Sequence, residues 1–361
     1  MMTILLIVLL VLALAWANGA NDVAKGVATL TGGGVTSARR AIVWGTLCTM
    51  LGGLAALAWG GALLSTFSKG FLASGFPVSL SFVAAVMVGA AAWVFMATRL
   101  GLPVSTTHAL LGGVVGAALV LAGPQGLRTV AIANKALLPL LVSPLIAVAF
   151  CWGLLLVARF VEKKIPAWGP GCCEREAWQK NPFVCAENAE QLPLPWVQRI
   201  WVGLHWLSSG ATSFARGLND VPKIAAFLVL VVALAPALPS SVAQYNAIWP
   251  IVAVTLVMGL GSVWGGLRVL QVLAHRVTPM DTRTGLVANV GTSLLVLAAT
   301  PLGLPVSTTH VSTGALMGIR WGEGVKPDQA DALKLILFGW VITLPVAALL
   351  AAATVGVIRW A

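Results

Sequence analysis

Long stretches without a charged side chain alternate with short charged segments along this chain of 361 residues. A membrane-spanning helix needs about 20 consecutive, mostly apolar residues. Stretches that lack Asp, Glu, Lys and Arg lie at 1–21, 41–68, 70–98, 100–127, 136–158, 200–215, 224–267, 284–319 and 335–358. Two of them are long enough for two segments each, parted near 236–239 and near 300–301. The pattern therefore predicts about ten membrane segments.

Composition narrows the class of protein further. Hydrophobic residues make up 59% of the chain and charged residues 9%, whereas soluble domains carry about 25% charged residues. This balance excludes soluble globular, disordered, collagen-like and coiled-coil proteins. The 38 glycines favour closely packed transmembrane helices over a β-barrel. We therefore predict an all-α polytopic membrane protein, whose first apolar segment is a retained helix rather than a signal peptide.

The net charge of +11 arises from 22 Lys and Arg against 11 Asp and Glu. In a soluble protein this excess would suggest nucleic acid, but basic residues also collect in the cytoplasmic loops of membrane proteins. We expect the lipid bilayer, and no nucleic acid, as a partner. Cys172, Cys173 and Cys185 share one loop without the spacing of a zinc or disulfide site, so their role stays open.

One segment, 159–199, is much more charged than the rest of the chain. It carries 11 of the 33 charged residues and five prolines. We interpret it as a charged cytoplasmic linker between a first transmembrane repeat, 1–158, and a second, 200–361.

Two motifs occur once in each half. Gly-Ala-Asn-Asp-Val-Ala-Lys at 19–25 returns as Gly-Leu-Asn-Asp-Val-Pro-Lys at 217–223, 198 residues later. Leu-Gly-Leu-Pro-Val-Ser-Thr-Thr-His at 100–108 returns unchanged at 302–310. Nine consecutive identities are very improbable by chance, so the two halves are internal repeats.

The basic residues indicate that the two repeats cross the membrane in opposite directions. Each basic loop in one half corresponds to a nearly uncharged loop in the other half. The positive-inside rule then predicts inverted topology with about five spans per repeat, a cytoplasmic linker and both termini outside. Only four loop cations would lie outside, against 15 inside; the four are Lys69, Arg128, Lys135 and Arg359.

Two acidic residues, Asp22 and Asp220, end long apolar stretches at matching places in the repeats. An acid at membrane depth is costly and is therefore a candidate functional residue. The alternative is an acid that merely caps the helix or pairs with a lysine three residues later.

The residues around these acids predict an ion site. We expect the helices to unwind at Gly19 and Gly217, because broken helices expose carbonyl groups that coordinate ions. Asn21 and Asn219 add amide oxygens and NH2 groups. The two aspartates supply hard anionic oxygens suited to Na+ or a proton.

The second motif has the features of an anion site. Gly-Leu-Pro interrupts each segment, and Ser105 and Ser307 stand where a half-helix would begin, since serine is a favoured N-cap. A helix N-terminus presents free N–H groups and a positive dipole end, and two of them could clamp a tetrahedral oxyanion. The alternative is that the hydroxyls only satisfy the helix backbone or join helices. The threonines that would add donors are Thr106, Thr107, Thr308 and Thr309.

Electrostatics connects the two motifs. Two carboxylates near a bound anion repel it, so cations must neutralise the site, which favours cation-coupled anion transport. Lys25, Lys223 and Arg216 are candidates for part of this charge; the alternative is that they snorkel or pair with the acids. The histidines that end the second motif, His108 and His310, are more typical of core residues than of proton carriers.

These motifs resemble those of the inorganic phosphate transporter (PiT) family. The family signature Gly-Ala-Asn-Asp-Val-Ala-Asn-Ala is similar to 19–26 and to 217–224, and its Gly-Leu-Pro-Val-Ser-(Ser/Thr)-Thr-His motif to 101–108 and 303–310. The chain departs from the signature at Lys25, where the family usually has Asn, and at Pro222.

The resemblance implies a symporter, not an enzyme, that moves inorganic phosphate by alternating access. Coupling to Na+ or H+, the absence of another cofactor and a bacterial inner membrane follow from it, while a homodimer is left open. By position, the implied phosphate ligands are Ser105, Thr106, Thr107, Ser307, Thr308, Thr309, Asn21 and Asn219. The implied coupling-ion ligands are Asp22 and Asp220, the metal ligands if the ion is Na+, together with Asn21 and Asn219.

Three other functions compete with this interpretation. A sulfate permease of the same family is the nearest alternative, although the intact Asn-Asp pairs favour phosphate. An intramembrane aspartyl protease would share a proton between two aspartates, but the chain has no Gly-x-Gly-Asp motif. A passive channel would not need a duplicated, charge-neutralised site.

Overall fold

The computed structural model describes residues 2–164, 196–235, 247–274, 280–321 and 327–360. Ten principal helices lie in these ranges: α1 Met2–Gly32, α2 Ala38–Trp59, α3 Leu80–Arg99, α4 Thr106–Ala122, α5 Leu138–Lys164, α6 Trp196–Leu234, α7 Ile248–Gly265, α8 Thr282–Ala299, α9 Thr308–Gly318 and α10 Pro327–Trp360. Short helical segments lie at Gly61–Ser65, Thr66–Gly70, Pro124–Gly126, Thr129–Ile132, Ala133–Leu137 and Leu267–Val272. The predicted all-α membrane fold is confirmed.

Seven helices of the described residues are long and apolar enough to cross a membrane. They are α1, α2, α3, α5, α6, α7 and α10. Two other principal helices are shorter: α4 has 17 residues and α9 has 11. Each begins just after the break that its Gly-Leu-Pro sequence predicted, so the chain contains half-helices as well as full spans.

Corresponding helices of the two halves pack against corresponding partners. α1 of the first half packs on α7 of the second half, and α6 of the second half packs on α2 of the first half. In the same way α4 packs on α10, and α9 packs on α5. Equivalent helix pairs thus form between the two halves of the chain. The ends of the two repeats, placed at residues 158 and 200 from the sequence, stay predictions. Most of the linker, its three cysteines and the break near 236–239 lie outside the described residues.

The first helices of the two halves pass each other in opposite directions. Four residues beyond Asp22, the carbonyl oxygen of Gly26 accepts a hydrogen bond from Ser209 (2.7 Å). Ser209 lies eleven residues before Asp220. Asp22 itself lies near Arg216, and further along α1 Thr29 is joined through Asn289 to Ser208. Moving forward along α1 therefore corresponds to moving backward along α6.

Two helical hairpins carry the second motif. In each hairpin a glycine with positive φ, Gly101 (73°) or Gly303 (65°), turns the chain after α3 or α8. Glycine adopts this conformation without a steric penalty. The extended segments 102–105 and 304–307 follow and form the hairpin tips, from which α4 and α9 return.

The two hairpins start at opposite ends of the molecule. α3 runs parallel to α1, since the Trp16 and Phe95 rings lie 5.9 Å apart and Asn21 contacts Thr98. α8 instead begins beside the far end of α1, where a Cβ on Gly33 would touch the backbone of Asp281. The hairpin tips therefore approach the centre from opposite ends.

The expected unwinding at Gly19 and Gly217 is wrong. Both α1 and α6 continue as helices through their Asn-Asp pairs. A Cβ on Gly19 would collide with the carbonyl oxygen of Met258, and one on Gly217 with that of Thr49. These glycines allow helix backbones to touch, the usual role of small residues between membrane helices.

Candidate functional site

Five charged side chains are buried together where the hairpin tips reach α1 and α6. None is more than 4% exposed, and they are Asp22, Lys25, Arg216, Asp220 and Lys223. Each of the three cations interacts electrostatically with both carboxylates. This five-residue set, here called the charge cluster, has a formal net charge of +1.

Each lysine joins its own aspartate to the hairpin tip of its own repeat. The Lys25 ammonium pairs with Asp22 and donates to the carbonyl oxygen of Val104 (3.1 Å). The Lys223 ammonium pairs with Asp220 (3.1 Å) and donates to the carbonyl oxygen of Val306 (3.0 Å). In both repeats the aspartate thus pairs with the lysine three residues later, which is the alternative to an ion site that was considered from the sequence.

The two asparagines also hold the hairpin tips. Asn21 donates to the carbonyl oxygen of Leu102 (2.8 Å) and accepts from the Val104 amide (3.2 Å). Asn219 donates to the carbonyl oxygen of Val306 (3.2 Å) and accepts from Thr300 (3.4 Å). Both side-chain amides are therefore already bonded to protein groups.

Both half-helices begin with a serine cap. The Ser105 hydroxyl accepts from the His108 amide (3.2 Å), and the Ser307 hydroxyl accepts from the His310 amide (3.3 Å). A capping side chain satisfies only one of the free N–H groups at a helix start. The first turns of α4 and α9 thus keep N–H groups that have no acceptor within the helix.

The threonines bring the two hairpin tips together. Thr309 donates to the carbonyl oxygen of Val104 (2.8 Å), and Thr107 donates to that of Val306 (3.5 Å) while accepting from Lys223 (2.8 Å). Thr308 donates to Asp220 (3.5 Å). All the residues that the sequence singled out in both motifs therefore lie in one buried cluster, with their hydroxyls largely engaged by the protein.

Arg216 has the largest unused hydrogen-bonding capacity in the charge cluster. Its Nη2 donates to Thr49 (2.7 Å), but Nε and Nη1 have no hydrogen-bond partner among the described residues. The corresponding residue of the first repeat is Asn18, which donates to Asp22 (3.2 Å) and Thr106 (2.8 Å). Sequence reasoning missed Asn18, although the offset of 198 residues from Arg216 points to it.

The two motif histidines are packed against each other. The rings of His108 and His310 lie 4.6 Å apart between centroids, and His310 stacks on Trp340 at 3.9 Å. His310 Nδ1 also lies 3.0 Å from the carbonyl oxygen of Leu140. This environment fits a core role.

A small cavity with room for about one water molecule lies beside Lys25, on the side of the charge cluster that faces the end of α1. Its lining mixes polar residues, namely Lys25, Thr29, Asn289, Thr292 and Ser312, with the apolar Ala28, Leu273, Ala288 and Leu316. Asn289 donates to Thr29 across it (2.8 Å). The start of α2 lies at this end of the molecule, and its first turn contains Arg39 and Arg40.

The equivalent positions at the opposite end are apolar and closely packed. With the offsets of 198 and 202 residues, Thr29 corresponds to Phe227, Asn289 to Met87, Thr292 to Ala90 and Ser312 to Leu110. All four apolar residues are completely buried in the main hydrophobic core. The two repeats therefore differ sharply in polarity on either side of the charge cluster.

The profile of the phosphate transporter family matches residues 18–351. This chain belongs to that family. It is accordingly an integral membrane transporter with several apolar helices, and the resemblance noted in the motifs is confirmed.

Relatives in this phosphate transporter family match along most of their length. A protein of Rhizobium meliloti, named a probable low-affinity inorganic phosphate transporter, is 28% identical over 93% of this chain and 90% of its own. A protein of Mycobacterium tuberculosis with the same name is 26% identical over 99% of this chain and 78% of its own. A solved structure described as the sodium-dependent phosphate transporter superposes with a TM-score of 0.80 over all of both chains, at 23% identity, and shows that the fold is shared.

Proposed function

We propose that this protein is a secondary active transporter that carries inorganic phosphate by alternating access and is coupled to Na+ or H+. The observation that carries the proposal is a buried cluster of net positive charge between two facing half-helix N-termini. Ionisable groups at membrane depth mark substrate pathways, and helix N-termini bind oxyanions. The names of the relatives support phosphate rather than the sulfate considered from the sequence.

The anion would bind to groups that the protein leaves free. The N–H groups that start α4 and α9 supply donors from opposite sides, and each helix end carries about half a positive charge. The Arg216 guanidinium supplies a planar fork that matches two phosphate oxygens. In this arrangement Ser105, Ser307 and the four motif threonines shape the site, while Asn21 and Asn219 hold its two tips.

The unequal surroundings of the charge cluster support alternating access. We place the small cavity on the cytoplasmic side, because the first turn of α2, with Arg39 and Arg40, lies at that end and basic residues collect at the cytoplasmic ends of membrane helices. Phe227, Met87 and Leu110 then close the route from the outside. This orientation keeps the linker in the cytoplasm of a bacterial inner membrane and both termini outside.

Uptake of radiolabelled phosphate into proteoliposomes tests the proposed function. We expect saturable uptake that an imposed Na+ or pH gradient accelerates, and that excess sulfate inhibits only weakly. Protein-free liposomes give the background. Equal rates with and without both gradients would contradict coupling, and preferred uptake of labelled sulfate would contradict the assigned substrate.

Labelling of introduced cysteines tests the orientation. We expect Thr292→Cys, which lines the small cavity, to react with a membrane-impermeant thiol reagent applied from the cytoplasmic side when the transporter opens to that side. The matched variant Ala90→Cys occupies the equivalent position in the packed half and should stay unreactive from either side in the same state. Both are made in a variant without the five native cysteines. Equal labelling of the two positions would count against the proposed closure.

A further inference from the structure

Two ammonium groups occupy equivalent oxygen-lined positions in the site. Lys25 contacts a carboxylate oxygen of Asp22 and a backbone carbonyl oxygen. Lys223 contacts a carboxylate oxygen of Asp220, a backbone carbonyl oxygen and the Thr107 hydroxyl (2.8 Å). Carboxylate, carbonyl and hydroxyl oxygens are the ligands that hard cations take in proteins. In both repeats a lysine of the chain itself already holds a carboxylate and a carbonyl oxygen of this kind, and in the second repeat a hydroxyl oxygen as well.

The lysines also change the charge balance on which cation coupling depends. Two carboxylates alone would repel an anion, and external cations would then have to accompany it. Here Lys25, Lys223 and Arg216 already exceed the two carboxylates by one positive charge, and all five groups are buried. An additional Na+ would raise the buried positive charge further, at a high desolvation cost.

We infer that phosphate transport by this chain does not require Na+, because the ammonium groups of Lys25 and Lys223 serve as its resident cations. The inference rests on the proposed transport function and refines it. Of the two driving ions considered, it leaves H+. The oxygens that a sodium ion would need are not free to hold one while the two ion pairs persist.

The first test uses the unaltered protein. Initial rates of phosphate uptake into proteoliposomes are compared in sodium and in choline media under the same pH gradient. The inference predicts equal rates and no saturable binding of radioactive Na+ to the purified protein. Uptake that occurs only in sodium, or saturable Na+ binding, overturns the inference and leaves the proposed function intact. Absence of saturable phosphate uptake in both media overturns the proposed function and this inference with it.

The second test removes each resident cation. In choline, Lys25→Ala and Lys223→Ala should lower uptake by about ten-fold or more, because each leaves a buried carboxylate without its partner. Sodium should then recover part of the uptake and raise the melting temperature of each variant, because a mobile cation can fill the vacated position. Sodium should leave the melting temperature of the unaltered protein unchanged.

A surface pair provides the matched control. Lys334 lies 3.1 Å from Asp331 with the same spacing of three residues, but both side chains are more than three-quarters exposed. Lys334→Ala should therefore leave uptake and its sodium response unchanged. Should Lys25→Ala and Lys223→Ala show no sodium response in either uptake or melting temperature, the lysines do not stand in for a cation and the inference fails.

Discussion

Replacement of Arg216 by Gln should nearly abolish phosphate uptake at the phosphate concentrations that half-saturate the unaltered protein. The guanidinium is buried beside both aspartates and has two nitrogen atoms without a hydrogen-bond partner among the described residues. Such a group is costly to bury unless a ligand completes its bonding. A charge-assisted bidentate contact with phosphate contributes about 3 kcal/mol, so its loss should weaken apparent affinity by about 100-fold.

Measurement of uptake rate against phosphate concentration separates this effect from a general loss of protein. Arg216→Lys keeps the charge without the planar fork and should retain an intermediate affinity. Arg359→Gln is the matched control, because that guanidinium also donates one hydrogen bond, to the carbonyl oxygen of Leu121 (3.2 Å), but lies at the exposed end of α10. Normal affinity in Arg216→Gln would rule out a direct contact between this side chain and the anion.

The half-helices were predictable because their signals are local. A glycine, a proline and a serine within five residues encode a turn, an extended segment and an N-cap, and the unchanged second copy made the pattern unmistakable. Ser105 and Ser307 consequently cap α4 and α9 at the expected positions. The all-α membrane fold followed from the length of the apolar stretches together with the composition, since few charges and many glycines favour packed membrane helices.

The role of Gly19 could not be predicted in the same way. A glycine before Asn-Asp is compatible with either a broken helix or a close helix contact. The partner that decides between them, Met258, lies more than 200 residues away in the chain. No local sequence pattern predicts which distant backbone segment will pack against a given glycine.

The polarity difference between the two ends of the site depends on similar long-range pairing. Thr29 and Asn289 are 260 residues apart in sequence and meet only in the fold. Their counterparts, Phe227 and Met87, look like ordinary apolar helix residues when met singly. The repeated motifs identify residues that the two halves share. The side of the membrane to which the charge cluster opens depends instead on residues that differ between the halves.

Asp220→Asn should remove both transport and a large part of the stability of the protein. The change leaves the Lys223 ammonium without its carboxylate partner at a buried position and raises the net charge of the charge cluster to +2. Removal of one partner of a buried ion pair typically costs about 3–5 kcal/mol. We therefore expect a clearly lower melting temperature as well as lost uptake, and the same for Asp22→Asn.

A double variant distinguishes a structural pair from a working one. Asp220→Asn combined with Lys223→Met restores the net charge of +1 and removes the unpaired ammonium, so the melting temperature should recover. Uptake should not recover, because in the proposed site Lys223 also holds Thr107 of the opposite hairpin and the tip of its own hairpin. Asp331→Asn, in the exposed pair, should change neither quantity. Recovery of uptake in the double variant would mean that the Asp220–Lys223 ion pair only stabilises the fold, because uncharged side chains of similar size would then support transport equally well.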